Sequence, residues 1–146
     1  MIRKTNGRLT VCCTILGLLL AFIWGNSLLP GHISGAFSDW VKEILARLFS
    51  GASEAPSGGG LLRKIAHFTE FTCLGMCLGW LFGMLEKGKL LPFGCGVLAA
   101  AVDETIQRFV PGRGPSIRDV CIDSAGVLTG MVLLYLGHTY FKRKST

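Results

Sequence analysis

Asp103, Glu104 and Gln107 close one apolar stretch of this 146-residue chain, and Asp119 and Asp123 open the next. Between them Phe109 to Pro115 forms a Pro/Gly turn that cannot continue a helix, with Arg113 inside it and Arg118 just beyond. A second polar strip, Lys64, His67 and Glu70, steps by three and so lies along one face of a helix. Asp103 and Gln107 stand one turn apart, as do Asp119 and Asp123, and each pair shares a face. Carboxylates in excess beside a titratable histidine are the residue types of acid–base chemistry, cation binding or capture of a polar ligand. Ionisable groups at membrane depth are costly, and by default they mark a site rather than a surface. The candidate ligand-binding set is therefore Lys64, His67, Glu70, Asp103, Glu104, Gln107, Arg113, Arg118, Asp119 and Asp123. Within it, His67, Glu70, Asp103 and Glu104 are the candidates for a catalytic role. The structural alternative is a buried network of arginine–carboxylate pairs and a histidine that only locks helices together.

These groups need elements to hold them, and the apolar residues supply them. Half the residues are hydrophobic, the mean hydropathy is +0.51, and four apolar spans fall at about 9–29, 65–85, 90–109 and 119–140. Each approaches the roughly 20 residues that a transmembrane helix needs, which argues against a packed soluble core. Arg3, Lys4 and Arg8 precede the first span, whose length and far-end Trp24 point to a retained helix rather than a cleaved signal. Phe37, Trp40, Val41, Ile44, Leu45, Leu48 and Phe49 recur at helical steps against a charged face. They predict an amphipathic helix over about 37–50, lying on the membrane or capping the bundle as a lid. Residues 51–60 read as a flexible linker. Gly75, Gly79 and Gly83 make one smooth helix face and Gly126 and Gly130 another, suited to close helix packing or to a homo-oligomer. The expected fold is all-α: a polytopic membrane helical bundle of four transmembrane helices plus one short amphipathic interfacial helix, a single domain over 1–146.

The net charge of +6 and pI near 9.2 come from basic residues that flank the spans, so no nucleic-acid partner is expected. With four spans, the basic N-terminus, the 86–89 turn and Lys142 to Lys144 fall on one side, which predicts both termini in the cytoplasm. His67, Glu70, Asp103, Glu104, Gln107, Asp119 and Asp123 then all fall in the outer half of the bilayer or at its rim. The six cysteines lie inside the spans, so no disulfide framework is indicated. Cys73 and Cys77 read as small packing residues rather than metal ligands, and no metal is assigned. The cofactor question stays open.

Arg63-Lys64-x-x-His67-Phe68-x-Glu70-Phe71, Asp103-Glu104-x-x-Gln107-Arg108-Phe109-Val110-Pro111-Gly112-Arg113 and Asp119-Val120-x-x-Asp123-x-x-Gly126-x-x-x-Gly130 occur in that order. Together they resemble the VanZ-like membrane proteins of bacteria, over residues 10–140. Phe71 stands where that family commonly has Tyr, and Asp123 where it has Asn or Asp. The resemblance implies a small integral protein of the bacterial cytoplasmic membrane, with teicoplanin resistance as the role linked to the namesake. Two functions of different class follow. One is a protein that binds or shields a polar envelope ligand, a glycopeptide or a lipid-linked wall precursor, with Arg113 and Arg118 engaging its anionic groups. The other is an intramembrane enzyme with His67 or Glu70 as base and Asp103 or Glu104 as acid or Mg²⁺ ligand. The chain carries no HExxH, GxSxG, P-loop or CxxC motif, so enzymatic activity is undecided. A channel or proton-coupled carrier is a third, lesser reading.

Overall fold

The structure is a computed structural model that describes residues 2–33, 36, 40 and 59–144. Its elements are α1 (Ile2–Ser27), α2 (Gly59–Met84), α3 (Leu90–Gln107) and α4 (Ile117–Lys144), with no strand among the described residues. The amphipathic helix expected over 37–50 lies outside the described residues but for Trp40, as does the linker up to residue 58. α2 begins earlier than its apolar span, inside the segment expected to be linker.

Three segments, Gly7–Ser27, Gly60–Met84 and Ile117–Lys144, are long and apolar enough to cross a membrane by length and composition. α3 is the exception. Its 18 residues reach only about 27 Å at 1.5 Å per residue, and its last two turns carry Asp103, Glu104 and Gln107.

Cross-helix contacts fix the directions. Cys12 meets Cys77 near one end of α1, and Asn26 reaches Glu70 near the other, so α1 and α2 are antiparallel. Trp24 reaches Ala99, and Ser27 reaches Asp103, so α1 and α3 are parallel. α2 and α4 run parallel in the most extensive contact of the bundle. Glycine makes this approach possible. A Cβ on Gly75 would meet the Val127 backbone, and one on Gly130 the Thr72 carbonyl. Gly126 faces the Phe68 carbonyl in the same way. The 75/79/83 face is only partly used, because a Cβ on Gly83 would meet nothing within 4 Å.

The core is Ile23 of α1, Phe71, Leu74 and Leu78 of α2, Ala99 and Ala100 of α3, and Val127 of α4. Cys12 and Cys77 pack beside it with their sulfurs 4.0 Å apart, while Cys73 is exposed. Large apolar side chains such as Leu18, Phe22, Leu98, Leu128 and Leu136 point outward, as lipid-facing positions do. At one end Lys89, between α2 and α3, sits over the Tyr135 ring of α4 at 4.4 Å. Arg8 of α1, Lys87 and the terminal Lys142–Lys144 of α4 belong to that same end. The opposite end holds the polar cluster.

Candidate functional site

The last two turns of α3 deliver three polar side chains to the bundle interior, where Asp103, Glu104 and Gln107 are all buried. Their one-turn spacing lets the Gln107 amide donate to Asp103 Oδ2 at 2.8 Å. The Ser27 hydroxyl, at the end of α1, donates to the same oxygen at 2.9 Å. Glu104 turns toward α4, where its Oε2 accepts the Ser116 backbone N–H at 2.7 Å. That carboxylate therefore sits against the N-terminus of α4, where the helix dipole favours a negative charge.

α2 brings His67 into the same space. Its Nδ1 lies 3.8 Å from Asp103 Oδ2 and 3.9 Å from Glu70 Oε2. The other Glu70 oxygen accepts from Asn26 Nδ2 at 3.1 Å. Asp123 on α4 is almost wholly buried, whereas Asp119, one turn nearer the end, pairs with Lys64 Nζ at 3.6 Å. The turn after α3 adds the cation. Arg113 Nη2 donates to the Asn26 carbonyl at 3.2 Å, and Gly112, with φ of 75°, reverses the chain there. The Gly31 N–H donates to the Pro111 carbonyl at 3.1 Å and pins the exit of α1 onto this turn. Burial lowers the Arg113 pKa, with Arg63 adding to the effect and Asp103, Glu104 and Glu70 opposing it.

Nine of the ten residues expected at the site thus converge in one cluster at this end of the bundle. Arg118 does not: it is exposed and takes no ion-pair partner among the described residues. Sequence reasoning missed Asn26, Ser27 and Ser116, and it treated Arg63 only as part of a motif. Asn26 and Ser27 are polar residues ending an apolar span, and that was the available signal.

Among the described residues, every buried side-chain nitrogen or oxygen without a hydrogen-bond partner belongs to this cluster. The atoms are His67 Nδ1, Glu70 Oε2, Asp103 Oδ1, Glu104 Oε1, Asp119 Oδ1, Asp123 Oδ1 and two nitrogens of Arg113. Leaving each such group unmet costs about 1–3 kcal/mol, more when it is charged. A small cleft lined by Arg63, Lys64, His67, Glu104, Gln107, Asp119, Ile122 and Asp123 opens beside them, with room for about one water.

The VanZ/LLP1 family model matches residues 9–138, which take in α2 and α3, most of α1 and α4, and every residue of the cluster. The chain belongs to the VanZ/LLP1 family. Neither a curated protein nor a solved structure matches it. Family and apolar helices together make this VanZ/LLP1 chain a multi-pass membrane protein in contact with lipid.

Ser27 gives the site a direct test. It is fully buried and donates to Asp103 Oδ2, so Ser27→Ala should cost about 1–3 kcal/mol. A thermal-unfolding midpoint in detergent equal to that of the wild type would show that the contact contributes nothing.

Proposed function

We propose that this VanZ/LLP1 chain crosses the bacterial cytoplasmic membrane four times with both termini in the cytoplasm. The fourth crossing is α3, and its support is the packing of that helix against all three others, parallel to α1. The orientation is supported by Arg8, Lys87, Lys89 and Lys142–Lys144, which belong to the end opposite the cluster. The cluster then faces outward, where it holds a polar ligand of the cell envelope. A glycopeptide or a lipid-linked wall precursor fits the mixed charge of Arg63, Lys64 and Arg113 with the carboxylates. Binding or shielding at this site contributes to teicoplanin resistance.

One observation carries the reading: among the described residues, the buried side-chain atoms without a hydrogen bond gather at a single place, on both cationic and anionic side chains. A staple that only joined helices would satisfy those groups with hydrogen bonds, whereas His67 and Asp119 meet their charged neighbours only at 3.6 to 3.9 Å. The test is teicoplanin susceptibility of a sensitive Gram-positive host expressing the wild type, Glu70→Gln or Asp103→Asn at matched membrane levels, with vancomycin as comparison. Protection by the wild type that both variants lose is the expected result. No protection from well-expressed wild type would end the resistance reading.

An intramembrane enzyme is the second reading, favoured by the His67 imidazole standing between the carboxylates of Glu70 and Asp103. Turnover of a lipid-linked substrate by the purified protein, lost in Asp103→Asn, would put it first.

A further inference from the structure

We propose that His67, Asp103 and Asp123 hold a divalent cation of the Zn²⁺ or Mn²⁺ class between α2, α3 and α4. Each helix contributes one residue, all three are buried, and each offers a ligand atom within 4.8 Å of the others. The spacing decides between a hydrogen-bonded cluster and an ion site. His67 Nδ1 and Asp103 Oδ2 are 3.8 Å apart, beyond the roughly 3.2 Å of a nitrogen–oxygen hydrogen bond. The two groups therefore do not hydrogen-bond, and they stand as far apart as ligands at about 2.0–2.2 Å from one ion do, roughly 3–4 Å. With Oδ2 held by Ser27 and Gln107, Oδ1 is the oxygen free to ligate.

The free atoms point the same way. His67 Nδ1, Asp103 Oδ1 and Asp123 Oδ1 are all buried without a hydrogen-bond partner. Asp103 is held by hydrogen bonds from Ser27 and Gln107 to its other oxygen, the kind of outer support that orients a ligating carboxylate. Glu70 Oε2, also without a hydrogen bond and 3.9 Å from His67 Nδ1, stands ready as a further ligand.

Charge completes the case. The five carboxylates of the cluster outnumber its cations, Arg63, Lys64 and Arg113, by two. One divalent ion cancels that excess and offsets the burial of the acids. An imidazole with two carboxylates suits Zn²⁺ or Mn²⁺ better than the all-oxygen preference of Mg²⁺ or Ca²⁺. The adjoining space, about one water in size, suits an ion that keeps a water ligand.

Metal binding at these residues does not depend on the identity of any envelope ligand, and its test needs none. Protein purified in detergent is loaded separately with Zn²⁺, Mn²⁺, Mg²⁺ and Ca²⁺, dialysed and assayed for bound metal and thermal midpoint. The expected result is about one Zn²⁺ or Mn²⁺ per chain, with a raised midpoint, in the wild type and in Glu86→Gln at the opposite end. Asp123→Asn, nearly unchanged in shape, should lose both. Ser27→Ala, which acts only by positioning Asp103, should weaken binding about 10–100-fold. Equal metal retention by wild type and Asp123→Asn, or no retained metal in folded wild type, would overturn the proposal. Should Asp123→Asn fail to fold, the graded loss in Ser27→Ala decides, and unchanged affinity there overturns it.

Discussion

Gly130→Val is expected to abolish the folded bundle, and Gly75→Val to do the same, while Gly83→Val is tolerated. A side chain on Gly130 would collide with the Thr72 carbonyl and the Met76 amide, and one on Gly75 with the Val127 backbone. Neither obstacle is a flexible side chain that can swing away. The parallel helices α2 and α4 would have to separate, against a general overpacking cost of about 1–3 kcal/mol for sites that do adapt. Membrane helices associate through close packing rather than through a hydrophobic drive, so this contact has little to replace it. The site suffers with the fold, because the same crossing sets the distance from His67 to Asp123. Gly83 meets nothing within 4 Å and serves as the matched control. The check is yield of monodisperse protein and thermal midpoint in detergent. Similar values for Gly130→Val and Gly83→Val would show that the α2–α4 contact is not the one described.

Under the proposed function, Arg113→Gln should have the opposite profile: teicoplanin protection lost, folded protein kept. Burial lowers the Arg113 pKa from its ordinary value. The folded state therefore holds the charged guanidinium at a cost, and removing the charge relieves it. Among the described residues the side chain makes one hydrogen bond, to the Asn26 carbonyl, and leaves two buried nitrogens without an acceptor. Groups kept in this condition exchange stability for function. The stability of Arg113→Gln should stay within about 1 kcal/mol of the wild type or rise, while susceptibility returns to that of a host lacking the protein. A large fall in the midpoint would instead identify Arg113 as a structural clamp, and the purely structural account of the cluster would then lead.

The sequence by itself determined the membrane class, the helices and most of the cluster. A polar atom in hydrocarbon is so costly that Asp103, Glu104, Asp119 and Asp123 stand out with no knowledge of their neighbours. Helical spacing then joined His67 to Glu70 and Asp103 to Gln107 by local geometry alone. The Phe109–Pro115 turn was legible for the same local reason, its Pro and Gly residues forbidding a continuous helix. Tertiary structure decided which partners those groups take. It set Asn26 and Ser27 against Glu70 and Asp103, turned Arg118 out to the exterior, and left Gly83 off the packed face. Lipid is as apolar as a packed helix interface, so an apolar span such as α1 carries no pattern marking the face that meets its neighbours. The choice among such faces rests on close shape fit between helices far apart in sequence, and that exists only in the assembled bundle.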